Sequence, residues 1–448
     1  MRAHRATGWL PVDAPVAGRA LRTAAAVADR LADPDAVRAV VCADGNVGVF
    51  ADHPWNPLGL SHGYPGTMLL FGELDRQFPD QGWDRKGRAH VLALLRELES
   101  AGFPEASLFG GGAGISLALW ALSRDRSRYR PAADKLDAAL LAGTERLLGE
   151  IGLLDGGSSM AAYDAIQGIA GITRYLLVMP DGSPVLRLAL EYLVSLARPL
   201  EIDGRSVPAW YVPADRQFTA ADQATFPHGN VNVGLSHGIA GPLAVLAIAW
   251  QLGSRVPGQQ QAIQALADWL VDQQTDDGTG PVWPPRIAAE ALDGPGAVLP
   301  HLQPSWCYGV PGIARALHLA GQALGEASYS RTALAAGLAV LDRQRDRDRL
   351  EAPTVCHGKA GLLQFLLRMH DDTGNPGLRA GATELTAQLV DAFDETVPFG
   401  YQDLEQHAGS AVRLDKAGVL EGAAGVALAL CSAGSRQPPV WDYALLLA

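Results

Sequence analysis

Two kinds of apolar segment alternate along the chain. The first kind is almost uniformly aliphatic and follows a glycine-containing turn, as in PLAVLAIA after Gly241. Because it leaves no polar stripe for solvent, it predicts a buried helix. The second kind places apolar residues along one side at helical spacing, as in 134–152 and 259–274. In the latter, positions i, i+3, i+4 and i+7 are Ile263, Leu266, Ala267 and Leu270. This pattern predicts an amphipathic helix that buries one face.

The buried segments share a frame in which two glycines, separated by two residues, precede the aliphatic stretch. The frame occurs seven times, and its first glycines are Gly63, Gly111, Gly168, Gly238, Gly309, Gly358 and Gly422. One such spacing carries no information, but seven copies that each lead into an aliphatic stretch indicate an internal repeat. We expect the glycines to allow close backbone approach or positive φ where each buried helix begins.

These helix pairs predict an all-α fold. Stacked side by side, seven pairs place the buried helices in an inner ring and the amphipathic helices outside it. We therefore expect a double α/α toroid of seven inner and seven outer helices, with an open solenoid as the alternative. Length alone suggests two or three domains, but the toroid accounts for residues 1–448 as one domain. Residues 1–55 would form a lead-in and an outer helix, and 200–234 a long connector.

In a toroid the seven glycine turns lie at one end, where the inner helices begin. The residue before each frame then lines the mouth of the toroid. Around the ring these residues are His62, Gly110, Gln167, His237, Tyr308, His357 and Glu421. Three of the 11 histidines of the chain occupy this position, which indicates chemistry at the mouth rather than packing alone.

The overall composition argues against several classes of function. The chain has 448 residues, 48% of them hydrophobic, and a formal net charge of −12. An acidic chain argues against nucleic-acid binding, because phosphate-tracking surfaces are usually basic. No apolar run reaches the roughly 18 residues of a membrane span, and the N-terminus shows no signal peptide. We therefore expect a cytoplasmic protein without membrane insertion.

Two of the four cysteines occupy equivalent places in neighbouring repeats. Cys307 and Cys356 each precede the first glycine of a frame by two residues, and His357 follows Cys356. One repeat step brings both sulfurs and the imidazole together, and this ligand set suits zinc. Three protein ligands would leave one position open, as in catalytic zinc sites. The alternative is two buried cysteines and a capping histidine, and simple burial is the expectation for Cys42 and Cys431.

The motifs around these residues resemble those of the lanthionine cyclases, or LanC-like proteins. The matching stretches are W-C-Y-G at 306–309, C-H-G at 356–358, L-S-H-G-I-A-G at 235–241, Y-D-A-I-Q-G-I-A-G at 163–171 and the connector at 210–234. The resemblance covers roughly residues 60–435. It implies a double α-barrel with zinc on Cys307, Cys356 and His357. The implied reaction adds peptide cysteine thiols to dehydroalanine or dehydrobutyrine and closes thioether rings.

The resemblance also implies catalytic residues and partners. His237 matches the catalytic histidine of the family, and its ordinary pKa near neutrality suits a proton carrier. Asp164 matches the acidic residue of the family and is expected to orient His237 or share its proton, unless it only caps the helix near Gly168. His62 matches no functional position, so we expect it to be structural. The implied substrate is a lanthipeptide precursor of leader and dehydrated core, and a separate dehydratase and an export transporter are the expected partners.

Two positions depart from the family pattern. Gln303 stands four residues before Cys307, where the family commonly has an arginine, and His228 stands where asparagine is expected. A glutamine can donate a hydrogen bond to an enolate oxygen but brings no charge. Either another cation, such as Arg286 or Arg413, supplies the charge, or the enzyme works without it.

Three other functions stay open at this point. A LanC-like enzyme that adds glutathione would use the same metal and electrophile with a diffusible thiol. A prenyltransferase-like α/α barrel would need a basic diphosphate pocket, and no Lys/Arg cluster adjoins the motifs. A non-catalytic scaffold of a lanthipeptide-modifying complex would not need Cys307, Cys356, His357 and His237 intact. The sequence therefore favours a stand-alone, zinc-dependent lanthipeptide cyclase.

Overall fold

The computed structural model describes residues 8–124, 126–152, 156–179, 183–202, 204–292, 304–346, 350–407 and 410–448. Within these ranges, seven helices stand side by side in a ring, each beginning at a glycine frame. These inner helices are α3 (Tyr64–Gln77), α5 (Gly112–Leu122), α8 (Ile169–Leu176), α11 (Ala240–Leu252), α13 (Val310–Leu324), α15 (Lys359–Thr373) and α17 (Ala423–Gly434). Successive members contact each other, and α17 contacts α3. The ring is closed, so the toroid is confirmed and the open solenoid is wrong.

A second set of helices packs outside the ring. Seven such outer helices lie in the described part of the chain: α1 (Ala14–Arg30), α4 (Trp83–Ala101), α6 (Arg130–Ile151), α9 (Pro184–Ser195), α12 (Gln259–Asp272), α14 (Ala327–Asp346) and α16 (Pro376–Asp391). Short helices lie in the connections: α2 (Pro34–Val41), α7 (Met160–Tyr163) and α10 (Ala220–Thr225). Because α1 packs against α17 and α16, the helix nearest the N-terminus completes the last pair of the ring.

Burial follows the two kinds of apolar segment. In α11 every residue from Ala240 to Ala249 is buried, whereas α12 buries the side that carries Ile263, Leu266 and Leu270. Burial of one such aliphatic side chain contributes about 1.5–3 kcal/mol, so the inner ring forms the core. None of the helices in the described ranges is both long enough and apolar enough to cross a membrane.

Close backbone packing explains why the frame contains two glycines. The first glycine has an extended backbone just before the helix, as Gly358 does before α15 with φ −131°. The second packs against the carbonyl of the residue six positions earlier. A Cβ at Gly361 would lie 2.0 Å from the Val355 oxygen, and a Cβ at Gly425 would lie 1.9 Å from the Val419 oxygen. No side chain fits at these distances, so the frame requires close approach and not positive φ.

Backbone hydrogen bonds join the seven turns into a continuous ring at the mouth. The bonds run from Ser61 N to Phe109 O, Phe109 N to Ile166 O, Ala165 N to Ser236 O, Ser236 N to Cys307 O, Cys307 N to Cys356 O, Cys356 N to Leu420 O and Val419 N to Leu60 O. Their donor–acceptor distances lie between 2.8 and 3.3 Å. Because each turn is tied to both neighbours, the positions of the mouth residues relative to one another are fixed by the backbone.

Short antiparallel strand pairs lie in the connections between the helices. The pairs are β1 (Leu200–Ile202) with β2 (Arg205–Val207), β3 (Asn230–Asn232) with β6 (Arg286–Ala288), β4 (Thr275–Asp276) with β5 (Pro281–Val282), and β7 (Asp403–His407) with β8 (Ser410–Leu414). The β3–β6 pair ties the end of the connector 200–234 to a segment that precedes α13. This pairing brings residues that are distant in sequence to the fourth glycine turn.

The C-terminal segment fills the centre of the ring. Trp441 and Leu447 are fully buried there, and the Leu447 carbonyl accepts a hydrogen bond from Arg315 of α13 at 2.7 Å. The indole of Trp306 donates to the Leu445 carbonyl at 3.0 Å. Because Trp306 directly precedes Cys307, this buried segment supports the turn that carries the first predicted metal ligand.

Candidate active site

The glycine turns before α13 and α15 bring two cysteines together. Cys307 and Cys356 occupy equivalent places in these turns, and the Cys307 amide donates to the Cys356 carbonyl at 3.3 Å. The side chains of Cys307 and Cys356 interact with each other, and the Cys307 sulfur lies 3.6 Å from the Ser305 hydroxyl oxygen. The two predicted sulfur ligands are therefore neighbours at the mouth.

The two thiols titrate as a coupled pair. The contact with Cys356 lowers the pKa of Cys307, with help from Ser305 and His357 and against the effect of burial. The same contact, together with burial, raises the pKa of Cys356 well above its usual value. The contact between the two sulfurs thus favours the thiolate form of Cys307, and the thiolate is the form that binds a metal.

A carboxylate from the seventh turn joins Cys356 and His357. Ligand atoms of Cys356, His357 and Glu421 all lie within 4.8 Å of one another. Sequence reasoning places Glu421 among the mouth residues but does not identify it as a possible ligand, since one acidic side chain among 48 carries no distinguishing signal. Its frame position, equivalent to that of His357, is the signal that could have found it.

A buried lysine balances the acidic charge around this cluster. Lys416 is 2% exposed, and its Nζ lies 2.7 Å from Glu421, 3.0 Å from Asp403 and 3.2 Å from Glu405. Burial lowers the pKa of Lys416, but Glu421 and Asp403 outweigh it and raise that pKa above its usual value. Asp403 Oδ1 also lies 3.9 Å from His357 Nε2, so the charge network reaches a predicted metal ligand.

The donor set is compatible with a metal site. Sulfur and imidazole ligands suit a borderline-soft ion such as zinc, whereas magnesium and calcium sites are built from oxygens. Cys356, His357 and Glu421 form the group of side chains that could hold the ion. Cys307, the other predicted sulfur ligand, lies outside this group, although its backbone amide bonds to Cys356.

A histidine–carboxylate pair lies one turn away from the cysteines. Nδ1 of His237 is 2.6 Å from Oδ2 of Asp164, which is fully buried. The other oxygen, Oδ1, accepts hydrogen bonds from the backbone amides of Ile166, Gln167 and Gly168 at 2.7–3.0 Å. One oxygen of Asp164 therefore bonds to the third turn and the other contacts the imidazole, whereas helix α8 itself has no side-chain cap.

The Asp164 contact determines which nitrogen of His237 can exchange a proton with a ligand. A carboxylate accepts a hydrogen bond, so Nδ1 carries the hydrogen and Nε2 is left for a substrate. The imidazole side chain is 21% exposed, which keeps it within reach of a ligand at the mouth.

Aromatic rings connect His237 to the cysteines. The imidazole centroid lies 5.9 Å from the Tyr308 ring and 5.3 Å from the Phe218 ring. Tyr308 directly follows Cys307, so a single turn carries a predicted metal ligand and a neighbour of the predicted proton carrier. Sequence reasoning assigned no role to Tyr308 or Phe218, because an aromatic residue in an isolated sequence is most simply explained as core.

Three other residues were singled out in the sequence: His62, His228 and Gln303. His62 lies near the metal cluster, with Nε2 3.9 Å from the Glu421 carboxylate, and burial lowers its pKa. His228 lies on the connector, where its carbonyl accepts the Tyr211 hydroxyl at 2.8 Å. Gln303 lies outside the described residues.

A family model, a sequence relative and a solved structure each match this chain. Residues 54–446 match the family described as lanthionine synthetase C-like protein. The nisin biosynthesis protein NisC of Lactococcus lactis subsp. lactis is 24% identical over 312 residues, which cover 69% of this chain and 72% of that protein. The solved structure of nisin cyclase superposes with a TM-score of 0.73 at 22% identity, over 87% of this chain and 92% of that one. This structural likeness shows a common fold.

Proposed function

The chain belongs to the lanthionine synthetase C-like family, and from this premise we propose that it is a zinc-dependent lanthipeptide cyclase. Its substrate would be a precursor peptide of leader and core in which serine and threonine are already dehydrated. The enzyme would add cysteine thiols to dehydroalanine and dehydrobutyrine and so close lanthionine and methyllanthionine rings. The observation that carries the proposal is the convergence of the thiol–imidazole cluster and the His237–Asp164 pair at one mouth.

Cys307, Cys356 and His357 would hold the zinc ion. When bound, zinc would supply the Lewis acidity that lowers the pKa of an entering peptide thiol. A thiol with a pKa near 8.5 is only about 3% ionised at pH 7, so complete ionisation is worth roughly 2 kcal/mol. The two protein thiolates add negative charge at the site, which keeps the substrate sulfur electron-rich.

His237 would carry the proton that the addition moves. Nε2 takes the proton of the thiol, and the sulfur forms a bond to the β-carbon while the electron pair of the double bond moves to the α-carbon and its carbonyl. The imidazolium then returns the proton to the α-carbon, so the S–H group has added across the double bond. Asp164, whose Oδ1 accepts hydrogen bonds from three backbone amides, would hold Nδ1–H through Oδ2 and orient the ring.

The chemistry of the substrate defines the partners that we propose. Dehydroalanine and dehydrobutyrine arise by loss of water from serine and threonine, which is a different reaction from thiol addition. A separate dehydratase would therefore act first, and an export transporter would take the cyclised product from the cytoplasm.

The test uses a synthetic peptide with one dehydroalanine and one downstream cysteine. Ring closure leaves the peptide mass unchanged and removes its alkylatable thiol, so mass spectrometry after alkylation counts uncyclised cysteine. We expect about one zinc per chain, ring closure that stops on chelation, and recovery when zinc is restored. Added glutathione separates the alternative enzyme, because a glutathione adduct in place of the ring would assign that activity. A zinc-loaded protein that gives neither product would refute the proposed function.

A further inference from the structure

We propose that Arg286 and the Tyr308 hydroxyl form a binding site for the carbonyl oxygen of the dehydro residue, beside His237. The proposal rests on the cyclase function and adds the groups that stabilise charge on that oxygen. Thiol addition drives an electron pair from the double bond toward the α-carbon and its carbonyl, so the oxygen becomes negative in the transition state. Donors fixed at this point act without reorganising during the reaction.

A strand pair places Arg286 at the mouth. β6 runs antiparallel to β3, and Arg286 stands opposite Asn232. The pairing continues beyond the strands, because the Val233 amide donates to the Pro285 carbonyl at 3.0 Å. Since Val233 leads directly into the turn of His237, the pairing carries a cation from a distant part of the sequence to the proposed proton carrier.

The Arg286 guanidinium is held in place and only partly solvated. It donates to the Asp222 carboxylate through Nη1, and 19% of its side chain is exposed. Its central carbon lies 5.7 Å from the Tyr308 ring centroid and 5.8 Å from the Phe226 ring centroid. Guanidinium stays charged at all accessible pH values and has five N–H donors, so donors remain for a ligand beyond the bond to Asp222.

Asp222 is the positioning residue of this site. It lies in α10. The Asp222 backbone amide donates a hydrogen bond to the Thr219 hydroxyl at 3.0 Å, and this hydroxyl donates to the Asp222 carboxylate at 2.8 Å. Burial raises the pKa of Asp222, but Thr219 and Arg286 lower it below its usual value. The connector 200–234 therefore contributes a fixed, ionised partner for the guanidinium.

Tyr308 supplies the second donor. The amide nitrogen of the fully buried Asn232 lies 3.4 Å from the Tyr308 hydroxyl and locates it. The Tyr308 ring faces the His237 imidazole at 5.9 Å. A carbonyl oxygen held between the guanidinium and this hydroxyl puts the attached α-carbon on the side from which His237 returns the proton. When that proton arrives, the oxygen becomes a neutral carbonyl again, and no other reactant is consumed.

Arg413 provides a matched control for Arg286. It lies on β8 opposite Leu404, and its side chain is exposed to solvent. The same substitution at Arg413 removes an equal charge from the protein without removing a held guanidinium from the mouth.

The experiment compares Arg286→Gln, Arg286→Lys, Asp222→Asn and Arg413→Gln in zinc-loaded protein with the synthetic dehydroalanine–cysteine peptide. We measure the single-turnover rate of ring closure, KM, zinc content and thermal unfolding. A further readout is exchange of solvent deuterium into the α-carbon of the ring product, which reports formation of the enolate without net ring closure.

We expect Arg286→Gln to slow ring closure and deuterium exchange by about 10²–10³-fold, as loss of one oxyanion donor does, with zinc content unchanged. Arg286→Lys should recover part of the loss, because an ammonium supplies the charge without the planar fork. The rates of ring closure and deuterium exchange in Asp222→Asn should lie between those of Arg286→Gln and the parent. Both rates in Arg413→Gln should match the parent.

The carbonyl site would be overturned if Arg286→Gln closed rings and exchanged deuterium at the parent rates. Equal losses in Arg286→Gln and Arg413→Gln, or a change confined to KM or zinc content, would overturn it as well. If Arg286→Gln does not fold, Arg286→Lys decides, because its exchange rate must still fall below that of the parent. A zinc-loaded parent that closes no ring would instead refute the cyclase function itself.

Discussion

The two sides of the mouth assemble their functional groups by different routes. On the sulfur side, defined by Cys307, Cys356 and His357, every group stands in the repeated glycine frame, and the backbone ring brings them together. On the proton side, defined by His237 and Asp164, only the histidine stands in the frame position. Repetition alone can therefore gather like groups from neighbouring turns. An unlike pair needs a side chain from outside the frame position, and the neighbouring Arg286 needs the β3–β6 pairing.

The two sides also hold their charges differently. The carboxylates of the sulfur side are balanced by the single ammonium of Lys416, whereas Asp164 is held by three backbone amides. Side-chain charges can be removed by one substitution, but backbone donors cannot. We therefore expect the sulfur side to be the more sensitive of the two to substitution and to pH.

The largest expected effect separates the sulfur side from the rest of the chain. Cys307→Ala should lose most of its zinc and nearly all ring closure together, because two protein ligands rarely retain zinc. Cys42→Ala, at a half-buried cysteine outside the mouth, is the matched control and should keep both. Metal analysis beside the alkylation assay measures the outcome. Full zinc in Cys307→Ala would contradict the ligand assignment.

The next effect isolates the proton side. His237→Asn keeps roughly the size and one hydrogen-bonding edge of the imidazole but cannot exchange a proton near pH 7. We expect an unchanged zinc content and a loss of about 10²–10⁴-fold in ring closure. His62→Asn, at the equivalent position of the first turn, should stay near the parent rate. Loss of zinc in His237→Asn would move this histidine to the metal, and a parent rate would make it structural.

Removing the ammonium tests how the sulfur side holds its charges. Lys416→Met should lower the free energy of unfolding by about 3–5 kcal/mol at pH 7, because it leaves the buried Asp403 and the half-buried Glu405 and Glu421 without their cation. The control is Lys86→Met, whose side chain is half-buried but whose partner Asp29 is exposed, and the loss of this pair should cost less than about 1 kcal/mol. Urea unfolding measures both. Equal costs would show that burial does not strengthen the Lys416 network.

The difference in unfolding free energy between the parent and Lys416→Met should also depend on pH. The pKa of Lys416 is raised by folding, so its contribution is complete below the unfolded pKa near 10.4 and is lost as the pH rises through the folded value. The pKa of Glu421 is lowered on balance, since Lys416, His62 and His357 outweigh burial. Its contribution is present above about pH 4.3 and is lost as the pH falls through the folded value. The difference in unfolding free energy between parent and Lys416→Met should therefore be widest between about pH 5 and 10.

The smallest effect concerns the backbone ring that both sides share. Gly361→Ala should cost about 3 kcal/mol of stability, because the new Cβ would meet the Val355 carbonyl at 2.0 Å and the turn would have to move. Gly149→Ala, inside α6 with nothing within 4 Å of the new Cβ, should instead stabilise by about 0.5–1 kcal/mol. Urea unfolding distinguishes the two signs. A neutral Gly361→Ala would contradict the close-approach explanation of the frame.

Several features could be predicted from the sequence because they depend on local chemistry repeated along the chain. Aliphatic stretches after G-x-x-G predict buried helices, and seven of them predict a ring. The frame also predicts that Cys307 and Cys356 are neighbours, because equivalent positions of adjacent repeats must lie side by side. By contrast, Glu421 was predicted at the mouth but not as a possible metal ligand beside Cys356 and His357, since only its frame position distinguishes it from the other acidic residues.

The sequence by itself determined the helical repeat and the equivalence of the frame residues, because helix periodicity and glycine packing are short-range properties. It predicted a toroid, but the contact of α17 with α3 decided between the closed ring and the open solenoid. Only the tertiary structure decided how the side chains there are paired. The contacts of Asp164 with His237, Lys416 with Asp403 and Arg286 with Asp222 join separate turns and strands. Such contacts depend on closure of the ring and on strand pairing, and a charged side chain can accept any opposite partner that the fold brings within a few ångströms. The repeat therefore determines where the candidate site residues lie, and the three-dimensional packing determines which side chains pair there.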